Sequence, residues 1–210
     1  MSLTQIYLLT PPQIPDLDGF AVQLDAVCAA VEIASLQIRL KDGSAAQVGE
    51  AFAVLAPIAR SHGTIVILND DPELARELGA DGVHVGQSDM SVKAARKILG
   101  PDKVIGATAH NSRHLAMEAG EAGADYVAFG AFYPSATKKT EFTATPDLLS
   151  WWSDLFELPC VAIGGINPQN AGALAEAGAD FVALSAGIWN AETDPVAAIK
   201  QLAKSLMEAE

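Results

Sequence analysis

The sequence predicts a single parallel (β/α)8 TIM barrel spanning residues 1–210. Short apolar runs recur about eight times along the chain, and they lack the strict polar–apolar alternation of a half-exposed sheet, as expected of parallel strands buried on both faces. Longer stretches rich in Ala, Leu and Glu separate them, with no helix-only or strand-only block. Eight β–α repeats is the number that closes a barrel, although periodicity alone also admits an open doubly wound sheet.

Taken in order, the predicted strands are 6–9, 36–39, 64–68, 82–85, 104–107, 126–129, 160–163 and 181–184. Helical patterns lie between them, among them 45–60, 112–122, 169–177 and 195–207. Gly-Ala-Asp occurs at 79–81, 123–125 and 178–180, each time between a helical pattern and an apolar run. Gly can end the helix in a left-handed conformation and Asp can open the turn, so repeated turn chemistry accounts for these sites. The least regular stretch, 130–146, follows the sixth strand, and long loops in compact domains are often functional.

The formal net charge of −13 repels a polyanion such as nucleic acid, and no run of Lys and Arg offsets it. The N-terminus lacks a basic segment followed by an apolar one, and no apolar stretch is long enough to span a bilayer. The expectation is a cytoplasmic protein with no nucleic-acid or membrane partner; a homo-oligomer is compatible with the sequence. Cys28 and Cys160 do not form a disulfide framework, and Cys160 lies in an apolar run where a buried reduced thiol is expected.

Polar residues gather just after the predicted strands, where a closed barrel would bring them to one mouth. They include Arg39 and Lys41, Asn69 and Asp70, Gln87 to Asp89, Thr108 and His110, Ser135 to Lys139, Gly164 and Gly165, and Ser185 to Gly187. Asp70 and Asp89 are hard oxygen donors suited to Mg2+, which takes one or two carboxylates plus substrate phosphate oxygens. Arg39, Lys41 and Lys138 can neutralise phosphate charge, and the glycines after the last two strands let backbone N–H groups approach an anion. Asp70 could instead cap the helix after Asp71-Pro72, and Asp89 the helix beginning near Val92. An arginine entering a barrel mouth usually has a partner. His84, between two valines, reads as a structural histidine; His62 and His114 read as solvent-facing.

The blocks Gln37-Ile-Arg-Leu-Lys41, Asn69-Asp70, Gly79 to Asp89, Gly106-Ala-Thr-Ala-His110, Tyr133-Pro-Ser-Ala-Thr-Lys-Lys139 and Ala162-Ile-Gly-Gly-Ile166 resemble the thiamine-phosphate synthase and thiazole tautomerase family, in order and over nearly the whole chain. The resemblance implies a transferase that joins a pyrimidine methyl diphosphate to a thiazole phosphate and releases diphosphate. It implies Mg2+ on Asp70 and Asp89, with Asn69 beside it. Gln37, Arg39, Lys41, Asn69, Thr108 and Lys138 would hold the pyrimidine and its diphosphate, with Lys138, Arg39 and Thr108 closest to the chemistry. Ser135, Thr137, Gly165, Ser185 and Ala186 would hold the thiazole phosphate. This chain departs from the family's usual pattern at Leu40, where Glu is usual, at Asp71, where Arg is usual, and at Ser135, where Thr is usual. Two alternatives stand beside the synthase: a thiazole tautomerase with His110 as acid and base, and a non-catalytic paralogue that binds thiazole or thiamine phosphate.

Overall fold

Apolar runs alternating with capped helices wind the chain into a closed barrel, described for residues 3–134 and 142–209 in a computed structural model. The strands are β1 (Gln5–Leu9), β2 (Ser35–Ile38), β3 (Ile65–Asn69), β4 (Gly82–Val85), β5 (Val104–His110), β6 (Tyr126–Gly130), β7 (Cys160–Ile163) and β8 (Phe181–Leu184). The helices are α1 (Leu17–Ala30), α2 (Ala45–Ser61), α3 (Pro72–Leu78), α4 (Val92–Leu99), α5 (Arg113–Glu121), α6 (Pro146–Leu155), α7 (Gly172–Glu176), α8 (Ala186–Trp189) and α9 (Pro195–Glu208). Each strand pairs in parallel with the next, and β8 returns to β1 with Ile6 opposite Val182. The open-sheet alternative is thereby excluded.

Two apolar layers result from the alternating direction of strand side chains. Ile6, Leu8, Leu36, Ile38, Val66 and Leu68 point outward and meet helix residues such as Leu24, Leu55 and Leu202. Tyr7, Leu9, Tyr126, Ala128, Val161 and Ala183 fill the barrel interior. The starts of α1 to α5 and α9 are fixed by side-chain caps, including a reciprocal Ser44–Gln47 box on α2 and Asp194 on α9.

The Gly-Ala-Asp repeats do more than turn the chain. Gly79, Gly123 and Gly178 have positive φ, as expected. The aspartates then reach back to the preceding strand: Asp81 accepts from Val66 N at 2.8 Å, Asp125 from Ile105 N at 2.6 Å and Asp180 from Cys160 N at 2.8 Å. Arg60 forks onto the Asp81 carboxylate, whereas Arg96 reaches Asp125 through Nη2 alone and gives its other donors to backbone carbonyls. These bonds stitch the end of the barrel opposite the mouth.

Besides the short α8, two elements depart from the sequence expectation. β5 runs on to His110, with its register shifting between Thr108 and His110. The helix expected over 169–177 is only α7, because Asn167 and Asn170 bond the local backbone and hold it in a turn. Among the described residues, no helix is long and apolar enough to cross a membrane.

Candidate active site

Strand periodicity sends Gln37 and Arg39, Asn69, His84 and Gly86, Gly106 and Thr108, and Ala183 and Ser185 toward the interior or its C-terminal mouth. Asn69 ends β3 directly opposite His84 on β4, and the Asp70 N–H donates to the His84 carbonyl at 2.8 Å. Asp70 therefore follows immediately at the mouth, with φ of 66°. A non-glycine residue in this conformation costs on the order of 1–3 kcal/mol, and such strain concentrates at functional sites.

Neither carboxylate of the Asp70–Asp89 pair caps a helix. Asp71 takes the α3 cap, accepting from Glu73 N and Leu74 N at 3.0 Å each. Ser91 takes the α4 cap, accepting from Ala94 N. Asp89 folds back instead, its Oδ2 accepting from Gly86 N at 2.8 Å. The exchange to Asp71 thus supplies a cap, and its Oδ1 is committed to the α3 backbone. Leu40 packs against the outer apolar layer.

Among the described residues no three His, Cys, Asp or Glu side chains gather as a metal cage. Two exposed carboxylates on adjacent strand ends suit a hard cation that takes its remaining ligands from water and phosphate. Mg2+ fits that donor set; a soft or borderline metal does not.

The cations are arranged differently. The Arg39 N–H donates to Thr10 Oγ1 at 2.9 Å, and Thr10 Oγ1 donates to the Arg39 carbonyl, which fixes the backbone below the guanidinium. Among the described residues that guanidinium has no ion-pair partner, and it remains available for a ligand. Lys41 is exposed on the following turn.

Beyond β7 and β8 the loops are in close contact. A side chain at Gly165 would meet the carbonyl oxygens of Tyr133 and Pro134, and one at Gly187 would meet the carbonyl of Ile166. Ser185 Oγ donates to the Thr10 carbonyl at 3.0 Å, and Trp189 Nε1 donates to the Leu9 carbonyl at 2.7 Å. The short α8 therefore begins at Ala186 beside Gly165 and the start of the β6 loop, the arrangement TIM barrels commonly use for phosphate. Ser135, Thr137 and Lys138 lie outside the described residues.

Five side chains absent from any one motif join across the interior. Gln37 Nε2 donates to Tyr7 Oη at 3.0 Å, and Tyr7 Oη meets Tyr126 Oη at 2.8 Å. Tyr126 Oη meets His84 Nδ1 at 2.9 Å, and His84 Nε2 meets Thr108 Oγ1 at 2.8 Å. Burial pushes the His84 pKa down to about 4; the nearby Asp89 charge opposes the shift and Arg39 adds to it. Burial also holds both tyrosines well above the ordinary phenol range. Tyr7, Tyr126, Gln37 and His84 line a cavity of about 20 Å³, room for a single water and no more.

His62 meets Asp25 at 2.8 Å, and both His62 and His114 are exposed, as expected. Burial raises the Cys28 and Cys160 thiols to about 11 and about 12, so both are inert. His110, at φ of 52°, stacks on Phe142 with centroids 4.5 Å apart.

A family model described as thiamine monophosphate synthase matches residues 6–188. The thiamine-phosphate synthase of Hyphomonas neptunium is 53% identical over 203 residues, covering 94% of this chain and 91% of that protein. That of Rhodospirillum centenum is 48% identical over 199 residues, covering 95% and 96%. Among solved structures, a thiamine phosphate pyrophosphorylase from Pyrococcus furiosus superposes with a TM-score of 0.85 at 26% identity, covering 98% of this chain and 96% of that one. A 3-hexulose-6-phosphate synthase from Salmonella typhimurium, at TM-score 0.72 and 18% identity over 99% and 100% of the two chains, shares the fold.

Proposed function

The chain belongs to the thiamine monophosphate synthase family, whose activity is a transferase reaction forming thiamine phosphate, and we propose how its own residues divide that work. The substrates are a pyrimidine methyl diphosphate and a thiazole phosphate, and the reaction is a dissociative substitution at the pyrimidine methylene.

The observation that carries this reading is the position of Asp70 and Asp89 just after β3 and β4 at the mouth, with the α3 and α4 caps taken by Asp71 and Ser91. Asp70 and Asp89 would hold Mg2+, with Asn69 beside them. Bound there, Mg2+ would neutralise charge on the leaving diphosphate, more in the transition state than in the ground state. Arg39, unpaired among the described side chains, and Lys41 bind the same diphosphate, with Lys138 added from the β6 loop. Gln37 and Thr108 hold the pyrimidine ring, whose amino group delocalises the positive charge left on the methylene carbon. Gly165, Ser185 and Ala186, with Ser135 and Thr137, hold the thiazole phosphate and so aim the thiazole nitrogen at that carbon. No protein nucleophile takes part.

The test is Asp89→Ala assayed over a Mg2+ titration. Turnover should fall by about two orders of magnitude or more, with the fold retained because Asp89 is exposed at the mouth. Full activity in this variant, or wild-type indifference to EDTA, would overturn the metal assignment.

A further inference from the structure

The chain from Gln37 to Thr108 obeys a counting rule. It contains four hydrogen bonds, and each needs one hydrogen. Tyr7 and Tyr126 each carry one hydroxyl hydrogen and sit between two of these bonds. A neutral imidazole likewise carries one N–H and one acceptor nitrogen. With every inner hydrogen kept within the chain, each inner member donates in one direction and accepts from the other. With Gln37 Nε2 donating to Tyr7, the Tyr7 hydrogen points to Tyr126, that of Tyr126 to His84 Nδ1, and the His84 Nε2–H to Thr108 Oγ1. The Thr108 hydrogen is then left to donate outward, while Gln37 Oε1 is left to accept. Turning the Gln37 amide over would reverse every bond and exchange the two end roles together.

We propose that Tyr7, Tyr126 and His84 are positioning residues, a proton-ordered chain that locks Gln37 and Thr108 as one acceptor and one donor toward the aminopyrimidine. The inference rests on the assignment of these two ends to the pyrimidine. An exocyclic amino group is a donor and a ring nitrogen an acceptor, so the substrate matches one polarity of the chain. The members come from β1, β2, β4, β5 and β6, and no pair closer than 24 residues in sequence is bonded. The ring positions are set independently of the hydroxyls. Gly106 leaves the space that the Tyr126 ring occupies, and Tyr7 meets that ring edge-on at 5.9 Å. The cavity beside the chain is too small for a pyrimidine, so the chain serves as the floor of the site and acts only through its two ends.

The experiment is a double-mutant cycle on the full chain, read as the dissociation constant of the pyrimidine diphosphate and as KM for each substrate. Gln37→Met and Thr108→Val are combined, first in the wild type and then in Tyr126→Phe. Groups in one hydrogen-bond network couple by roughly 0.5–3 kcal/mol, and each 1.4 kcal/mol is about tenfold. The two end substitutions should therefore be non-additive by about threefold or more in the wild type and additive once Tyr126→Phe cuts the chain. Tyr126→Phe alone should raise the pyrimidine diphosphate KM by about tenfold while leaving the thiazole phosphate KM within about twofold. Thr108→Ser, which keeps the hydroxyl, should restore the coupling. Tyr7→Phe cuts the same chain at its other phenol and serves if Tyr126→Phe does not fold. Additive end substitutions in the wild type, or equal coupling in the cut variant, overturn the proposal. A wild type that binds no pyrimidine diphosphate overturns the pyrimidine assignment itself, whereas one that turns over with uncoupled ends overturns only the chain.

Discussion

Replacing Gly165 with alanine puts a methyl group 2.5 Å from the Tyr133 carbonyl oxygen and 2.6 Å from that of Pro134, at a backbone φ of +67°. Gly79 provides an internal control, because its φ is +68° and a methyl group there meets nothing within 4 Å. The left-handed conformation costs an L-residue roughly 1–2 kcal/mol, and both variants incur it. Only Gly165→Ala adds overpacking against rigid backbone, typically about 1–3 kcal/mol. For a chain of this length each kcal/mol lowers Tm by about 2–4 °C, so Gly165→Ala should melt about 2–12 °C below Gly79→Ala. The clash also displaces the start of the β6 loop from the phosphate side of the mouth. Steady-state kinetics should show the thiazole phosphate KM raised by about tenfold in Gly165→Ala, a smaller change in the pyrimidine diphosphate KM, and no change in either for Gly79→Ala. Equal melting temperatures for the two variants, or an unchanged thiazole phosphate KM in Gly165→Ala, would refute the close packing of the β6 and β7 loops as the source of that subsite.

Asp71→Ala should cost about 1 kcal/mol by removing the α3 cap, measured by urea denaturation, and should leave the Mg2+ dependence of turnover unchanged. A shifted Mg2+ requirement would show that Asp71 belongs to the metal site. His84 gives stability a pH dependence of definite sign. Its pKa is about 4 in the fold and about 6.5 in the unfolded chain, so below pH 6.5 the unfolded chain takes up the proton first. The stability is fully present above about pH 6.5 and declines toward pH 4, by about 2–3 kcal/mol after discounting for the part of the ring that reaches the mouth. Comparing urea midpoints at pH 7 and pH 4.5 for the wild type and His84→Gln isolates this contribution, and identical slopes would contradict it.

The limits of β4, β7 and β8 coincide with runs readable from the sequence, because a buried parallel strand is apolar on both faces and bounded by turn residues. The roles of Asp70 and Asp89 were legible only as alternatives. Residue type does not say which of two consecutive acids caps a helix, and only the structure gives that role to Asp71. His84 was readable as structural, but its partners were not. Tyr7 and Tyr126 are 119 residues apart and become neighbours only when β8 closes on β1. Their parity with inward residues on other strands was the one available signal. The short α8 was also missed, since four residues are too few for a helical period to register.

The proposed reaction is condensation of the two substrates with release of diphosphate, dependent on a divalent cation. The direct measurement incubates the purified chain with both substrates and Mg2+, and quantifies thiamine phosphate by chromatography and diphosphate by a coupled assay. Equal amounts of the two products are expected, with loss of both when EDTA is added. Diphosphate release without thiamine phosphate, or neither product at saturating substrates and Mg2+, would contradict it.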